Sequence, residues 1–167
     1  MRVPRAYIEA ELAAGMRVSL PEATAHHFLR VLRLPDGAAI RLFNGAPGDW
    51  HGQLIVEGKQ RASAQIESFE ASATESPLEL TLVQGISRGQ RMDYTLEKCV
   101  ELGVDHILPV VMERTQAAPA GERIAKKARH WQGVIAAAAA QSGRTRLPSL
   151  APQCGFREWL TQADVTA

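Results

Sequence analysis

Leu78-Glu79-Leu80-Thr81-Leu82-Val83-Gln84-Gly85 begins the change of period that decides the fold. Its leucines and valine form a short apolar run, which predicts a buried strand over 78–83. Met92, Leu96, Cys99 and Val100 follow on one helical face, and Gly103 closes that helix as a C-cap. Residues 107–111 predict a second apolar strand. A long helix is then expected from about Gly121, with Ile124, Ala128, Trp131, Ile135 and Ala138 at helical spacing and Gly143 at its end. Strand, helix, strand, helix is the pattern of a parallel α/β sheet. Phe156, Trp159 and Leu160 predict a short last helix.

Upstream the pattern is different. Met16, Val18 and Leu20 alternate, as do Ile40 and Leu42, and 53–56 and 64–69 are strand-like. Asp36-Gly37, Asn44-Gly45 and Pro47-Gly48 punctuate them as turns. One helix interrupts the strands: Phe28, Leu29, Val31 and Leu32 have helical spacing, begun at Pro21-Glu22 and ended before Pro35. Many short strands with one helix predict a small β-barrel. The small polar stretch 70–77 reads as a linker. The expected organisation is a β-rich domain over 1–72 and an α/β domain over 73–167.

Composition excludes several classes. No run is long and apolar enough to span a bilayer, and the start lacks the apolar stretch of a secretory signal, so a cytoplasmic protein with no membrane partner is expected. Two cysteines, Cys99 and Cys154, and five scattered histidines suggest neither a disulfide framework nor a metal site. Nineteen basic residues nearly balance eighteen acidic ones, for a net charge of +1. Their distribution is uneven. Between Arg114 and Arg146 there are seven cations and one acid, Glu122; between Ala23 and Leu34 there are two arginines, two histidines and no acid. Local basic patches suit phosphate contacts, although from charge alone a solvated helix face is the preferred reading.

Candidate binding residues follow from these patches. His26, Arg30 and Arg33 are spaced i, i+4, i+7, which on a regular helix aligns them opposite Leu29 and Leu32. Guanidinium groups in a row fork onto phosphate oxygens. After the strand at 78–83, Ser87, Arg88 and Arg91 lie in a basic loop at a strand's carboxyl end, where open α/β sheets bind ligands. Glu113-Arg114-Thr115 ends the second strand in the same way. Gln141-Ser142-Gly143-Arg144 ends the long helix, where Arg144 either meets a ligand or complements the helix dipole. The spacing of Gly85 and Gly89 matches no dinucleotide or triphosphate loop. No nucleophile elbow or carboxylate pair stands out, and no catalytic residue is assigned. Methyl transfer from a bound cofactor, which needs no protein nucleophile, remains compatible.

At these residues the sequence resembles the RsmE-type family, bacterial 16S ribosomal RNA uridine-N3 methyltransferases of the SPOUT (trefoil-knot) superfamily. The matching stretches are Pro4-Arg5-Ala6-Tyr7, His26-His27-Phe28-Leu29-Arg30-Val31-Leu32-Arg33, Leu42-Phe43-Asn44-Gly45, Met92-Asp93 with Glu97-Lys98-Cys99-Val100-Glu101-Leu102-Gly103-Val104, Pro109, Glu113-Arg114-Thr115, and Trp131 with Gln141-Ser142-Gly143-Arg144 and Pro148. They run in the family's order across nearly the whole chain. The resemblance implies an N-terminal PUA-like β-barrel that binds RNA, followed by the first part of a SPOUT α/β domain. It also implies S-adenosyl-L-methionine as cofactor, 16S rRNA or the small ribosomal subunit as partner, and a homodimer. By the same carry-over, His26, Arg30, Arg33 and Arg88 face RNA, while Arg114 and Arg144 border the target uridine.

Two departures go with the resemblance. The family's Gly-Pro-Glu-Gly-Gly-like loop and its later Leu-Gly-x-Arg-Ile-Leu-Arg-like segment, which hold the cofactor, do not occur in these 167 residues. The chain is therefore expected to be C-terminally truncated and to neither bind S-adenosylmethionine well nor methylate. The helix before Gln141 reads all alanine over 136–140, where the family carries a Glu or two. Two alternatives stand beside the methyltransferase: a non-catalytic RNA-binding module, and a small-molecule α/β enzyme with an appended barrel.

Overall fold

The computed structural model describes residues 3–72, 74–115 and 118–162. Ala73 of the expected linker and the tail beyond 162 lie outside the described residues. The chain forms two compact units, residues 1–75 with 139–146, and residues 76–138 with 147–167. The sequence predicts one division, after residue 72; in the structure the segment 139–146 groups with the first unit.

The first unit is a curled five-stranded mixed sheet. β1 (Arg5–Tyr7) pairs parallel with β3 (Ala39–Phe43); β3 pairs antiparallel with β4 (Gly48–Val56), β4 with β5 (Ala62–Ala71), and β5 with β2 (Arg17–Ser19). The register slips between His51 and Gly52, and a β-bulge there adds twist and bends the strand. Gly52 is required at that bend, because a Cβ would collide with the Gln65 carbonyl of β5. Ile40, Leu42, Leu54, Ala64 and Ile66 line the inner face, with Phe28 and Leu34 closing it. The alternation at 40 and 42 predicts this correctly. β1 was not predicted: it is three residues long and carries a charge.

The interrupting helix is not regular. α1 (Glu22–His26) runs into a π-helical turn, His27–Val31. Leu32 N–H donates to the His27 carbonyl at 2.9 Å, five residues back, and Leu34 N–H reaches the Phe28 carbonyl at 2.9 Å. Between them Arg33 sits at φ +53°, a left-handed conformation that non-glycine residues seldom adopt. The packing supplies the reason. Ala25, Phe28 and Leu34 all enter the core, and the chain must widen and reverse sharply to return Leu34 there. Leu32 and Val31, expected on the apolar face, are exposed instead, Val31 at 60%.

The second unit has the expected parallel sheet. β6 (Thr81–Gly85) pairs with β7 (His106–Val111), which also pairs with β8 (Ser149–Leu150) and β9 (Cys154–Gly155), all parallel. α2 (Gln90–Glu101) buries Met92, Leu96 and Val100. α3 (Glu122–Ser142) buries Trp131, Ile135 and Ala138 as its spacing predicts, although Ile124 is exposed. α4 (Phe156–Gln162) stacks Phe156 on Trp159 with ring centroids 5.6 Å apart. The strand predicted at 78–83 begins three residues late and is not buried. Leu78 and Leu80 are exposed because pairing starts only where Thr81 meets His106.

Candidate nucleic-acid interface

In the first unit four exposed basic side chains stand on the corner formed by α1 and the π-helical turn. His26, His27, Arg30 and Arg33 are all exposed, and no carboxylate pairs with Arg30 or Arg33 among the described residues. The row expected from i, i+4, i+7 spacing does not persist, because the five-residue hydrogen bond rotates everything after His27 relative to a regular helix. What remains is a short cationic knuckle with Val31 and Leu32 exposed among the charges. Such a surface can take phosphates on its guanidiniums and an unstacked base on its apolar tips. Both departures from regular backbone, the π turn and the left-handed Arg33, occur within this one segment. Strain of this kind persists where the surroundings impose it, and it clusters at functional sites.

Arg144 lies elsewhere in the same unit and is a different kind of arginine. It is 7% exposed, and its Nε and Nη2 reach Glu75 Oε2 at 3.0 and 2.9 Å. Glu75 Oε1 also accepts from Thr145 N–H at 2.7 Å, Thr145 Oγ1 at 3.3 Å and Arg146 N–H at 3.1 Å. Burial pushes the Glu75 carboxyl up, but the bonds from the Arg144 side chain and the Arg146 and Thr145 amides outweigh it and leave it below its ordinary value. Arg144, expected to face RNA beside the target base, has its guanidinium turned inward onto this carboxylate. The linker expected at 70–77 is correspondingly not free: Glu70 and Ala71 belong to β5, and Glu75 is an anchor.

Arg5 makes a second buried lock. Its Nε and Nη2 clasp Asp49 at 2.6 to 2.9 Å, its Nη1 donates to the Ala139 carbonyl at 3.0 Å, and its guanidinium lies 4.1 Å from the Phe43 ring centroid. Bidentate pairing fixes both the distance and the plane of the group. The sequence carried no signal for Glu75, Asp49 or the structural role of Arg5, since their partners are 44 or more residues distant.

In the second unit Arg88 and Arg114 are both exposed, in the loops that follow β6 and β7. The register Gly85↔Val110 sets the carboxyl ends of these two strands side by side. Thr115 shapes the second loop, donating its N–H to the Met112 carbonyl at 2.9 Å and accepting from Met112 N–H at 2.8 Å, with Glu113 and Arg114 at the tip. Cys99 and Cys154 are free thiols, and burial pushes the Cys99 thiol up, away from reactivity. Among the described residues no helix is long and apolar enough to cross a membrane, and no three metal-ligating side chains converge.

Comparison with known proteins gives this arrangement a family. A profile described as the RNA methyltransferase domain matches residues 74–167, and one described as the RNA methyltransferase PUA domain matches 20–67. A ribosomal RNA small subunit methyltransferase E from Neisseria gonorrhoeae, crystallised with S-adenosyl methionine, is 41% identical with a TM-score of 0.90, over 98% of this chain and 67% of that one. A putative methyltransferase from Legionella pneumophila, in complex with the same cofactor, is 32% identical with a TM-score of 0.93, over 98% and 68%. Ribosomal RNA small subunit methyltransferase E of Buchnera aphidicola is 26% identical over 95% of this chain, which spans 62% of that relative's length. The curled sheet is thus the PUA-like domain the resemblance implied, and the parallel sheet belongs to the α/β methyltransferase domain. The chain belongs to the RNA methyltransferase family, with proteins of the small-subunit methyltransferase E type as its relatives.

Proposed function

We propose that this chain supplies the RNA grip and the first part of the catalytic domain of a methyltransferase, which transfers a methyl group from S-adenosylmethionine to N3 of a uridine in bacterial 16S ribosomal RNA. In this reading the protein acts in the cytoplasm as a homodimer, and the gripping unit ends near residue 72. The observation that carries the RNA reading is the knuckle: Arg30 and Arg33 are exposed without carboxylates among the described residues, on the irregular backbone that returns Leu34 to the core. Chemistry on a base in RNA requires that base to be held out and oriented, so much of the catalysis is positional. Arg88 and Arg114, on adjacent strand-end loops, are suited to a phosphate on either side of such a base.

The described residues do not by themselves fit S-adenosylmethionine. An adenosyl group needs apolar walls and a sulfonium disfavours nearby cations, whereas the loops after β6 and β7 expose Arg88 and Arg114. For these 167 residues taken alone, the same observation favours the simpler reading of an RNA-binding module without catalysis. Calorimetric titration of S-adenosylmethionine into the chain is expected to give no saturable heat. Tight stoichiometric binding would overturn that part of the reading.

A further inference from the structure

We infer that the exposed face of α3 is a second RNA-backbone surface, formed by Arg123, Lys126 and Arg129 and separate from the knuckle. This rests on the RNA reading above. The three cations stand at i, i+3 and i+6 on the exposed side of the helix, opposite Trp131 and Ile135 in the core. At 1.5 Å rise per residue the row is about 9 Å long. Lys127 beside it lies 5.8 Å from the Trp131 ring centroid and serves the packing instead.

Two independent features separate this row from an ordinary solvated face. The first is pairing. Some exposed cations elsewhere have acids: Arg17 bonds Glu57 at 2.7 Å, and Lys98 on α2 sits between Glu97 and Glu101 at 2.8 and 2.9 Å. Mixed signs of that kind are what a solvent-facing helix carries. Arg123, Lys126 and Arg129 form no ion pair within 4 Å among the described residues, although Glu122 stands four residues before Lys126. The second is position. Arg123 and Lys126 lie in the first turns of α3, at the positive end of the helix dipole, where a cation destabilises. Glu122 is the acid of that first turn, and a face selected for stability alone would not follow it with two cations. An external polyanion compensates both features at once, and the phosphate backbone of RNA is the polyanion this family meets.

The test measures binding of the 167-residue chain to a labelled transcript of small-subunit rRNA between about 50 and about 200 mM salt. Arg123→Gln/Lys126→Gln is compared with Arg17→Gln/Lys98→Gln, which removes the same charge from paired sites. Glutamine is a good helix former, so α3 is retained, and loss of the dipole conflict leaves the melting temperature unchanged or raised. The α3 variant is expected to flatten the salt slope by roughly 1.4 to 1.8, so that the affinity ratio between the two salts shrinks by about tenfold. The control keeps the parent slope. Equal effects of both variants, no effect of either, or a melting temperature lowered enough to explain the loss each overturns the inference. A parent chain that binds weakly and without salt dependence removes the RNA reading itself. Loss with Arg30→Ala/Arg33→Ala but not with the α3 variant removes only this surface.

Discussion

The first unit holds arginines of two kinds, and the contrast between them is more informative than their number. Arg5 and Arg144 are buried, each clasping a carboxylate through more than one nitrogen, and they hold the end of α3 and the turn after it to the sheet. Arg30 and Arg33 project from irregular backbone with no acid beside them. A buried guanidinium that lost its partner would be an uncompensated charge in low dielectric, whereas an exposed one is already solvated and has capacity for a ligand. The difference gives the first pair a structural role and, in the proposed reading, leaves the second for RNA.

Breaking a lock should have the largest effect. Glu75→Ala removes the carboxylate from the buried Arg144 guanidinium and the acceptor for two amides, at a cost of about 3 kcal/mol in urea unfolding. Glu75→Gln, which keeps an acceptor but not the charge, should cost less. The pH dependence has a fixed sign. Because the folded-state carboxyl is held below its ordinary value, its stabilisation is complete above the unfolded value near 4.3 and is lost as pH falls through the lower folded value. The parent should therefore lose stability below about pH 4 more steeply than the glutamine variant. Parallel acid profiles would show that the Glu75 charge contributes nothing.

The second effect in size is on binding. Arg30→Ala/Arg33→Ala should weaken affinity for a small-subunit rRNA transcript by roughly tenfold at low salt and reduce the salt slope by about 1.5, the yield of two lost phosphate contacts. Unfolding free energy should stay within about 0.5 kcal/mol of the parent or rise slightly. Unchanged binding would return the knuckle to the status of a solvated surface.

These two regions were unequally legible in the sequence. Long apolar periods were read correctly: α2 and α3 follow from spacing at Met92, Leu96, Trp131 and Ile135, because burial on one face leaves a periodic trace. Leu78 and Leu80 left the same trace without the burial, since the neighbouring strand pairs only from Thr81 onward. Long-range polar contacts leave no trace at all. Nothing around Glu75 shows that Arg144, 69 residues later, returns to it, so Arg144 looked like a dipole cation or a ligand contact. The knuckle lay between these cases: its charges were visible, but its backbone was not. The stretch from His27 to Leu34 has the composition of a regular helix, and only the need to bury both Phe28 and Leu34 turns it into a π turn with a left-handed exit.

That exit allows the smallest prediction to separate stability from binding at a single residue. Arg33 occupies φ +53°, which a side chain with a Cβ holds at a cost of about 1 kcal/mol or more. Glycine adopts this region freely but loses more entropy on folding, about 0.5 kcal/mol or more. The balance predicts that Arg33→Gly raises stability by up to about 1 kcal/mol, or a few degrees in melting temperature. Arg33→Ala keeps the strain and gains nothing. Both variants remove the guanidinium, so both should weaken RNA binding to the same extent. That pairing of outcomes is what the proposed RNA contact of Arg33 predicts. If instead Arg33→Gly binds RNA as tightly as the parent, the left-handed residue serves only to return Leu34 to the core, and Arg30 carries the knuckle's contact alone.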